Sequence, residues 1–210
     1  MPEDTSAVDR FNLTAQDDHR LQLGVLPEPF LGRPDAPVVV LGLNPGWKQD
    51  ADPVRHANQA FRDCSRANLV HAPADYPFYL LNPHIDTTQY WHKMLKPLKE
   101  AVGLEAVARG VLCVELFPYH SRKFHRRLPR IPSQEYSFGL VRQAMMRAAV
   151  IIQLRGEDPW MSAIPELASY ARRFGVNSVQ NPTVSPKNCP EGYRLAVEVL
   201  RAQFRATSSP

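Results

Sequence analysis

The chain has 210 residues, of which 44% are hydrophobic and 22% charged, and its formal net charge is +4. These values are typical of one ordinary globular domain. The sequence contains no run of 18 apolar residues, which argues against a membrane-spanning helix, and its polar, acidic start (MPEDTSAVDR) argues against a signal peptide. We therefore expect a cytoplasmic protein with a flexible lead over residues 1–20, a single domain over residues 21–205 and a frayed tail.

Metal-binding and disulfide patterns are not recognisable. Cys64, Cys113 and Cys189 are widely spaced and form no CxxC pair, so neither a structural zinc nor an iron–sulfur cluster is expected. The histidines outside the basic segment show no ligand spacing either: His56, His71, His84 and His92. We expect no metal ion and no cofactor.

Short apolar runs alternate with helical patterns along the chain. Strands are predicted over residues 38–42, 111–116, 150–154 and 176–180. Helices are predicted over residues 52–69, with Asp52 as N-cap and Pro53 in the first turn, and over 89–102, kinked or split by Pro97. Further helices are predicted over 134–148, capped by Ser133, and over 159–173 and 190–204.

This alternation predicts an α/β fold, a three-layer α/β/α sandwich around a mainly parallel sheet. Ligand sites in such sheets lie at the carboxyl ends of the strands. The informative residues should therefore follow Gly42, Leu116, Leu154 and Gln180.

Two proline-stiffened loops that carry asparagine follow predicted strands. The first is Gly42-Leu43-Asn44-Pro45-Gly46, in which the glycines permit close backbone approach and the proline fixes the turn. The second is NPTVSPKN, residues 181–188. Each presents an asparagine at a strand end, and the two loops come from opposite ends of the chain.

A basic segment follows the second predicted strand. Residues 120–130 (HSRKFHRRLPR) contain no acid and five cationic residues: Arg122, Lys123, Arg126, Arg127 and Arg130. Such a cluster on a modestly basic protein predicts phosphate binding. The alternative interpretation is a solvated loop.

The sequence resembles the uracil-DNA glycosylase superfamily, particularly its mismatch-specific and single-strand-selective branches. PDAPVVVLGLNPG (residues 34–46) is similar to the first motif, and NPTVSPKN to the second. Pro77-Phe78 resembles the aromatic position that stacks on the extruded base, and QYWHK (residues 89–93) resembles the helix start that follows it. The resemblance covers roughly residues 27–204.

The resemblance implies a uracil-DNA glycosylase-like fold and a monofunctional DNA glycosylase of base-excision repair. Such an enzyme flips a damaged or deaminated base and hydrolyses its N-glycosidic bond. Its partner would be DNA, double- or single-stranded, and the protein would act as a monomer, near the nucleoid if it is bacterial.

The resemblance also assigns roles to individual residues. Asn44 would hold the attacking water, and Asn181 would occupy the second catalytic position. Backbone N–H groups around Gly42 and Leu43 would meet the base carbonyl, and Phe78, or Tyr79 in a shifted register, would stack on the base. DNA contacts are expected from the remaining positions: Arg122, Lys123, His125, Arg126, Arg127, Lys187 and Asn188.

The chain departs from the family pattern at two positions. The second motif contains no histidine, and the strand VLCVEL ends with Glu115 where the family usually has a uracil-reading asparagine. An ionised glutamate only accepts hydrogen bonds, so it suits the paired N–H donors of a guanine-type base and predicts poor uracil excision. Three alternatives are open: a register that differs by one residue, a Glu115 that burial keeps protonated, and a Glu115 that is paired with a nearby arginine.

Other functions are also compatible with this pattern. A non-catalytic nucleic-acid-binding relative would explain the missing histidine and the changed reading residue. A small-molecule nucleotide or nucleoside binder would not need the basic segment. His125 as a covalent nucleophile is a further alternative to its simpler role beside phosphate ligands.

Overall fold

A computed structural model describes residues 2–207, and the side chains of residues 2–205. Within these residues the chain forms five β-strands and nine α-helices. The strands are β1 (Phe30–Leu31), β2 (Val38–Gly42), β3 (Val111–Glu115), β4 (Val150–Gln153) and β5 (Arg173–Gly175). The helices are α1 (Thr5–Thr14), α2 (Asp52–Ala57), α3 (Gln59–Leu69), α4 (Gln89–Met94), α5 (Lys96–Val102), α6 (Leu104–Gly110), α7 (Gln134–Met146), α8 (Glu157–Ala163) and α9 (Pro190–Thr207).

The strands form one mixed, mainly parallel sheet in the order β1-β3-β2-β4-β5. Only the two-residue edge strand β1, which the sequence analysis did not predict, runs antiparallel to its neighbour. In the β2–β3 pair, Gly42 is the register partner of Glu115. The carboxyl ends of β2, β3 and β4 therefore meet at one edge of the sheet.

Helices cover both faces of the sheet. Val38 and Val40 point into a core shared with α3, α4, α5, α6 and α9, whereas Val39 and Leu41 point into a core shared with α7 and α8. The three central strands are buried at every residue, as expected for a parallel sheet covered on both sides. The prediction of an α/β fold with a mainly parallel sheet is confirmed, and the arrangement is compatible with a three-layer sandwich.

The helix predicted over residues 52–69 is two helices. Asn58 is extended and its side chain accepts from Phe61 N, so it ends α2 and caps α3. Asp52 was expected as an N-cap but is the first residue of α2, where its carboxylate accepts from Lys48 N at 2.6 Å.

Prolines set the boundaries of two other segments. The predicted break at Pro97 is confirmed, because α4 ends at Met94 and Pro97 lies in the first turn of α5. The helix predicted over residues 159–173 is wrong. α8 ends at Ala163, because Ile164 before Pro165 is not helical, and a short 3₁₀ segment follows.

Two further local predictions are corrected. The fourth parallel strand is Arg173–Gly175 rather than residues 176–180, because Asn188 accepts from Ser178 N and holds the following segment against its own loop. Ser133 precedes α7 but makes no capping bond, because its backbone is already helical (φ −61°, ψ −21°) rather than extended.

The N-terminal segment, which was expected to be a flexible lead, packs against the domain. Val8 of α1 packs with Phe117 and Ile131 in a small core of its own, and Asp4 accepts from the Tyr119 hydroxyl at 2.9 Å. Of the predicted tail, residues 206–207 continue the backbone of α9, and residues 208–210 lie outside the described residues. No helix over residues 2–207 has both the length and the apolar character needed to cross a membrane.

Candidate active site

A cavity of about 410 Å³ lies at the carboxyl ends of β2, β3 and β4, where the sequence analysis placed the ligand site. This volume is in the usual range of ligand pockets. Its lining combines acids (Glu28, Asp52, Glu115), cationic residues (Lys48, Arg55, Arg122, Lys123, Arg155), histidines (His56, His120) and aromatic rings (Trp47, Phe61, Tyr90, Trp91, Phe124).

One wall is built where the asparagine turn after β2 meets the loop after β3. Phe117 N donates to Leu43 O at 2.8 Å, and Ser121 N donates to Pro45 O at 3.2 Å. Gly46 and Ser121 continue this pairing as a short parallel bridge. The basic segment predicted to bind phosphate therefore begins directly beside Asn44.

The Asn44 amide has a fixed orientation. Its Nδ2 donates to Tyr119 O at 3.2 Å and to Ser121 Oγ at 2.9 Å. The Ser121 hydroxyl hydrogen is used on Lys123 O at 3.0 Å, so Ser121 Oγ must accept from Asn44. Because a backbone carbonyl also only accepts, the amide cannot be flipped. Asn44 Oδ1 accepts no hydrogen bond from the described residues and remains available to a ligand or water.

Glu115 forms the floor of the cavity. Its carboxylate lies over Gly42, where a Cβ would overlap it. The side chain is 5% exposed, and its Oε2 is buried without a hydrogen-bond partner among the described residues. Burial, and then the negative charge of Glu28, raise the pKa of Glu115 to about 8. This shift favours the neutral carboxyl at pH 7, the alternative in which burial protonates Glu115.

Glu28 is a second buried acid in the same cavity. Its backbone N donates to Pro118 O at 2.8 Å, which places it beside the chain that leaves β3. The Tyr79 hydroxyl donates to Glu28 Oε2 at 2.6 Å, while Oε1 accepts no bond from the described residues. Burial raises the pKa of Glu28, and the neighbouring His120 and the Tyr79 bond oppose this rise.

Two histidines and a tryptophan stack beside Glu28. The His120 and His56 rings are 4.9 Å apart, edge to face, and Trp47 lies 5.6 Å from His56. His120 Nδ1 is 3.0 Å from Gly46 O, so Nδ1 carries the hydrogen. Its Nε2 is buried without a partner among the described residues. Burial, with smaller effects of His120 and Arg55, lowers the pKa of His56 to about 4, so His56 is neutral at pH 7.

Tyr90 is the most exposed aromatic ring of the cavity wall, at 38%, compared with 8% for Trp47 and 4% for Trp91. It packs edge to face on Trp91 with 5.1 Å between centroids. Burial raises the pKa of Tyr90 to about 12, so its hydroxyl is protonated and can donate.

The cations at the cavity mouth are partly neutralised by one acid. Asp18 accepts from Arg122 at 3.0 Å and from Lys123 at 2.7 Å. The hydrogen bond from Lys123 lowers the pKa of Asp18 most, desolvation opposes it, and the charge of Arg122 lowers the pKa further, so that it lies below its usual value. Both cationic side chains remain more than half exposed and so can exchange this partner for another anion.

The structure brings six of the predicted site residues to this cavity: Gly42, Leu43, Asn44, Glu115, Arg122 and Lys123. The others do not line it: Phe78, Tyr79, His125, Arg126, Arg127, Asn181, Lys187 and Asn188. The expected convergence of the two loop asparagines on one pocket is therefore not observed.

The two aromatic candidates for stacking are core residues. Phe78 is fully buried and packs edge to face on Trp91 at 5.3 Å. Tyr79 is 3% exposed, and its hydroxyl is used by Glu28. Stacking by either ring is thus contradicted, because the short 3₁₀ segment Tyr79–Leu81 turns this part of the chain into the core.

The second loop also differs from expectation. Asn181 and Lys187 are exposed outside the cavity. Asn188 is buried, and its Nδ2 donates to Thr183 O at 3.0 Å and to Asn181 O at 3.2 Å. Its amide holds its own loop together, so contact with a DNA groove is not available to it in this conformation.

The rest of the basic segment turns away from the cavity. His125 packs against the rings of Phe11 and His19. Arg126 lines a neighbouring depression that shares Leu43 and Phe124 with the cavity, and Arg127 is exposed. Of the four cations expected to contact DNA together, Arg122 and Lys123 border the cavity, whereas Arg126 and Arg127 do not.

Sequence reasoning missed several lining residues. Arg155 follows Leu154 directly, at a strand end that the analysis had marked, and His120 is the first residue of the basic segment. Glu28, His56 and Tyr90 carried no such signal, because Glu28 precedes the unpredicted strand β1 and the other two come from the helices α2 and α4.

Comparisons with known proteins identify no relative of the chain. No protein-family model, no curated protein and no solved structure matches the chain. Residues 2–207 also contain no group of three or more histidine, cysteine, aspartate or glutamate side chains arranged to hold a metal ion.

Proposed function

We propose that the protein is a DNA glycosylase that hydrolyses the N-glycosidic bond of a flipped, deaminated base, on a uracil-DNA glycosylase-like three-layer fold. The observation that carries this proposal is the convergence of the fixed Asn44 amide and the buried Glu115 carboxyl in one cavity. The cavity supplies a place for water and a place for a base edge, and cations border its mouth.

Water would be held by Asn44. Its amide nitrogen is used by the protein, so its Oδ1 is an acceptor that needs no rearrangement to bind a water hydrogen. Holding water against the sugar C1′ converts a bimolecular attack into a positioned one. This is the role that the resemblance assigned to Asn44.

The base edge would be read by a neutral Glu115. A protonated carboxyl has one O–H donor and one carbonyl acceptor, and the pKa of about 8 keeps it in this form at pH 7. It therefore complements an N–H group adjacent to a C=O group, the edge of uracil or hypoxanthine, as an asparagine amide does. The expectation of poor uracil excision rested on an ionised Glu115. With a neutral Glu115 we expect uracil or hypoxanthine to be excised.

The base would stack on the aromatic wall of the cavity. Tyr90 takes the role expected of Phe78, since its ring is the most exposed one at the cavity. Arg122 and Lys123 would contact phosphates by exchanging Asp18 for the DNA backbone.

A second candidate is a non-catalytic DNA-binding relative with the same pocket. It is favoured by the second loop, which places neither Asn181 nor any histidine in the cavity. His120, from the loop after β3, is in the cavity instead.

The test is a panel of oligonucleotides that each carry one lesion, incubated with excess protein and then cleaved with alkali at abasic sites. We expect cleavage at uracil or hypoxanthine by the wild type, and a rate lower by about 10² for Asn44→Ala, because the water is no longer positioned. Binding without cleavage at any lesion would contradict the glycosylase function and favour the non-catalytic DNA-binding relative.

A further inference from the structure

We infer that Glu28 is a catalytic residue of this cavity: its carboxylate faces the positive charge that develops at C1′ and takes the proton of the attacking water. Nothing in the sequence singled out this residue. The inference rests on the proposed function, because it assigns a role within the same reaction.

The geometry of Glu28 differs from that of a structural ion pair. Tyr79 holds Oε2 at 2.6 Å, whereas Oε1 has no donor among the described residues. Among the described residues, no arginine or lysine forms an ion pair with it. Glu28 is only 7% exposed, and only one of its carboxylate oxygens accepts a hydrogen bond from the described residues. Burial of the other oxygen without a donor destabilises the fold, unless a ligand supplies the hydrogen bond.

Glu28 also supplies a group that the first loop lacks. Asn44 can orient water but cannot accept a proton, because an amide is not a base at neutral pH. Of the three acids that line the cavity, Asp52 is engaged by Arg55 and by Lys48 N, and Glu115 packs against Gly42 on the floor, where its Oε2 is closed off from solvent. Glu28 is the lining acid left to act as a base.

The water oxygen forms a bond to C1′ while the C1′–N bond breaks. The electron pair of the C1′–N bond goes to the departing base. One water proton passes to Glu28, and the base anion accepts a hydrogen bond from the Glu115 O–H before it takes a proton from solvent. The products are an abasic sugar and the free base.

The ionisation of Glu28 depends on four facing groups. His120 and the Tyr79 hydroxyl favour the charged carboxylate, whereas burial and the charge of Asp52 oppose it. Glu115 is the fourth group, because its own pKa is raised by the charge of Glu28. Tyr79 is thus a positioning residue. Because its bond lowers the pKa of Glu28, Tyr79→Phe should move the acidic limb of the excision rate to higher pH.

The closing experiment uses binding and needs no turnover. Two oligonucleotides carry either a cationic pyrrolidine or a neutral tetrahydrofuran in place of the damaged nucleoside, and their affinities are compared. We expect the wild type to prefer the cationic analogue by about tenfold or more, because the charge lies close to a carboxylate in a dry cavity. Glu28→Gln should abolish this preference, and Glu28→Asp should retain part of it.

The exposed Glu198→Gln, on α9, is the matched control and should keep the full preference. If the wild type binds both analogues equally, or Glu28→Gln keeps the preference, Glu28 does not face the charge and the inference is overturned, while the proposed function stands. If neither analogue binds more tightly than undamaged DNA, the proposed function and the inference fail together.

Discussion

Glu115 shows how burial can change the chemistry of a single residue. On sequence alone an ionised glutamate replaces the expected asparagine and inverts its hydrogen-bonding pattern. Removal from water, with Glu28 nearby, raises its pKa to about 8 and restores a donor and an acceptor. The identity of the residue was readable from the sequence, but its charge depends on neighbours that only the fold brings together.

Glu115→Gln should preserve excision at pH 7 and remove the decline of the wild-type rate above pH 8. The amide copies the neutral carboxyl but cannot lose a proton. Single-turnover excision between pH 6 and 9.5 measures this, with Glu115→Ala as the variant that loses the reading group at every pH. An equal loss in Glu115→Gln and Glu115→Ala at pH 7 would show that Glu115 does not read the base.

The same carboxyl should make stability depend on pH. Because its pKa is raised from 4.5 to about 8, the folded state retains a proton that the unfolded state has lost between these values. The free energy of unfolding of the wild type therefore decreases as pH rises through this interval. Glu115→Gln should gain melting temperature relative to the wild type from pH 5 to pH 8.5. A difference that does not change with pH would contradict a buried, titrating Glu115.

At the scale of elements, β2 and β3 hold the site because their register places Gly42 against Glu115. The strands β2 and β3 and the first asparagine turn were predicted well, since continuous β-branched runs and Asn-Pro-Gly turns have strong local signals. Tyr90 and Glu28 were not found, because their place in the cavity follows from the packing of α4 and from the antiparallel edge at β1. Phe78 was misassigned because a motif gives no information on which way a short turn faces.

Gly42→Ala should displace the Glu115 carboxylate, because a Cβ at this position overlaps it. We expect a loss of about 1–3 kcal/mol in stability and a loss of excision. In a Glu115→Ala background the same substitution should cost less, since the overlapping atoms are gone. The double-mutant cycle by denaturant unfolding measures this coupling. Additive effects would mean that the two positions do not touch.

At the scale of the whole molecule, a net charge of +4 gives weak general attraction to DNA, so the placement of cations determines binding. Replacing Arg122 and Lys123 together by glutamine should reduce the salt slope of duplex binding by about 1.8, at about 0.9 for each phosphate lost. Asp18→Asn should strengthen binding at low salt, because both cations lose their competitor.

Filter binding or fluorescence anisotropy between 50 and 200 mM salt measures these slopes. Arg194→Gln with Arg201→Gln, on α9 and outside the cavity, is the charge-matched control. An equal change of slope in both pairs would mean that the basic segment is a solvated loop without phosphate contacts of its own.

The most direct measurement is the release of the free base. Wild-type protein in excess over a uracil- or hypoxanthine-containing oligonucleotide at pH 7 should liberate one equivalent of that base, detected by mass spectrometry. Asn44→Ala should release it about 10² times more slowly while it still binds the tetrahydrofuran oligonucleotide. Tight binding of damaged DNA by the wild type with no free base released would contradict a glycosylase.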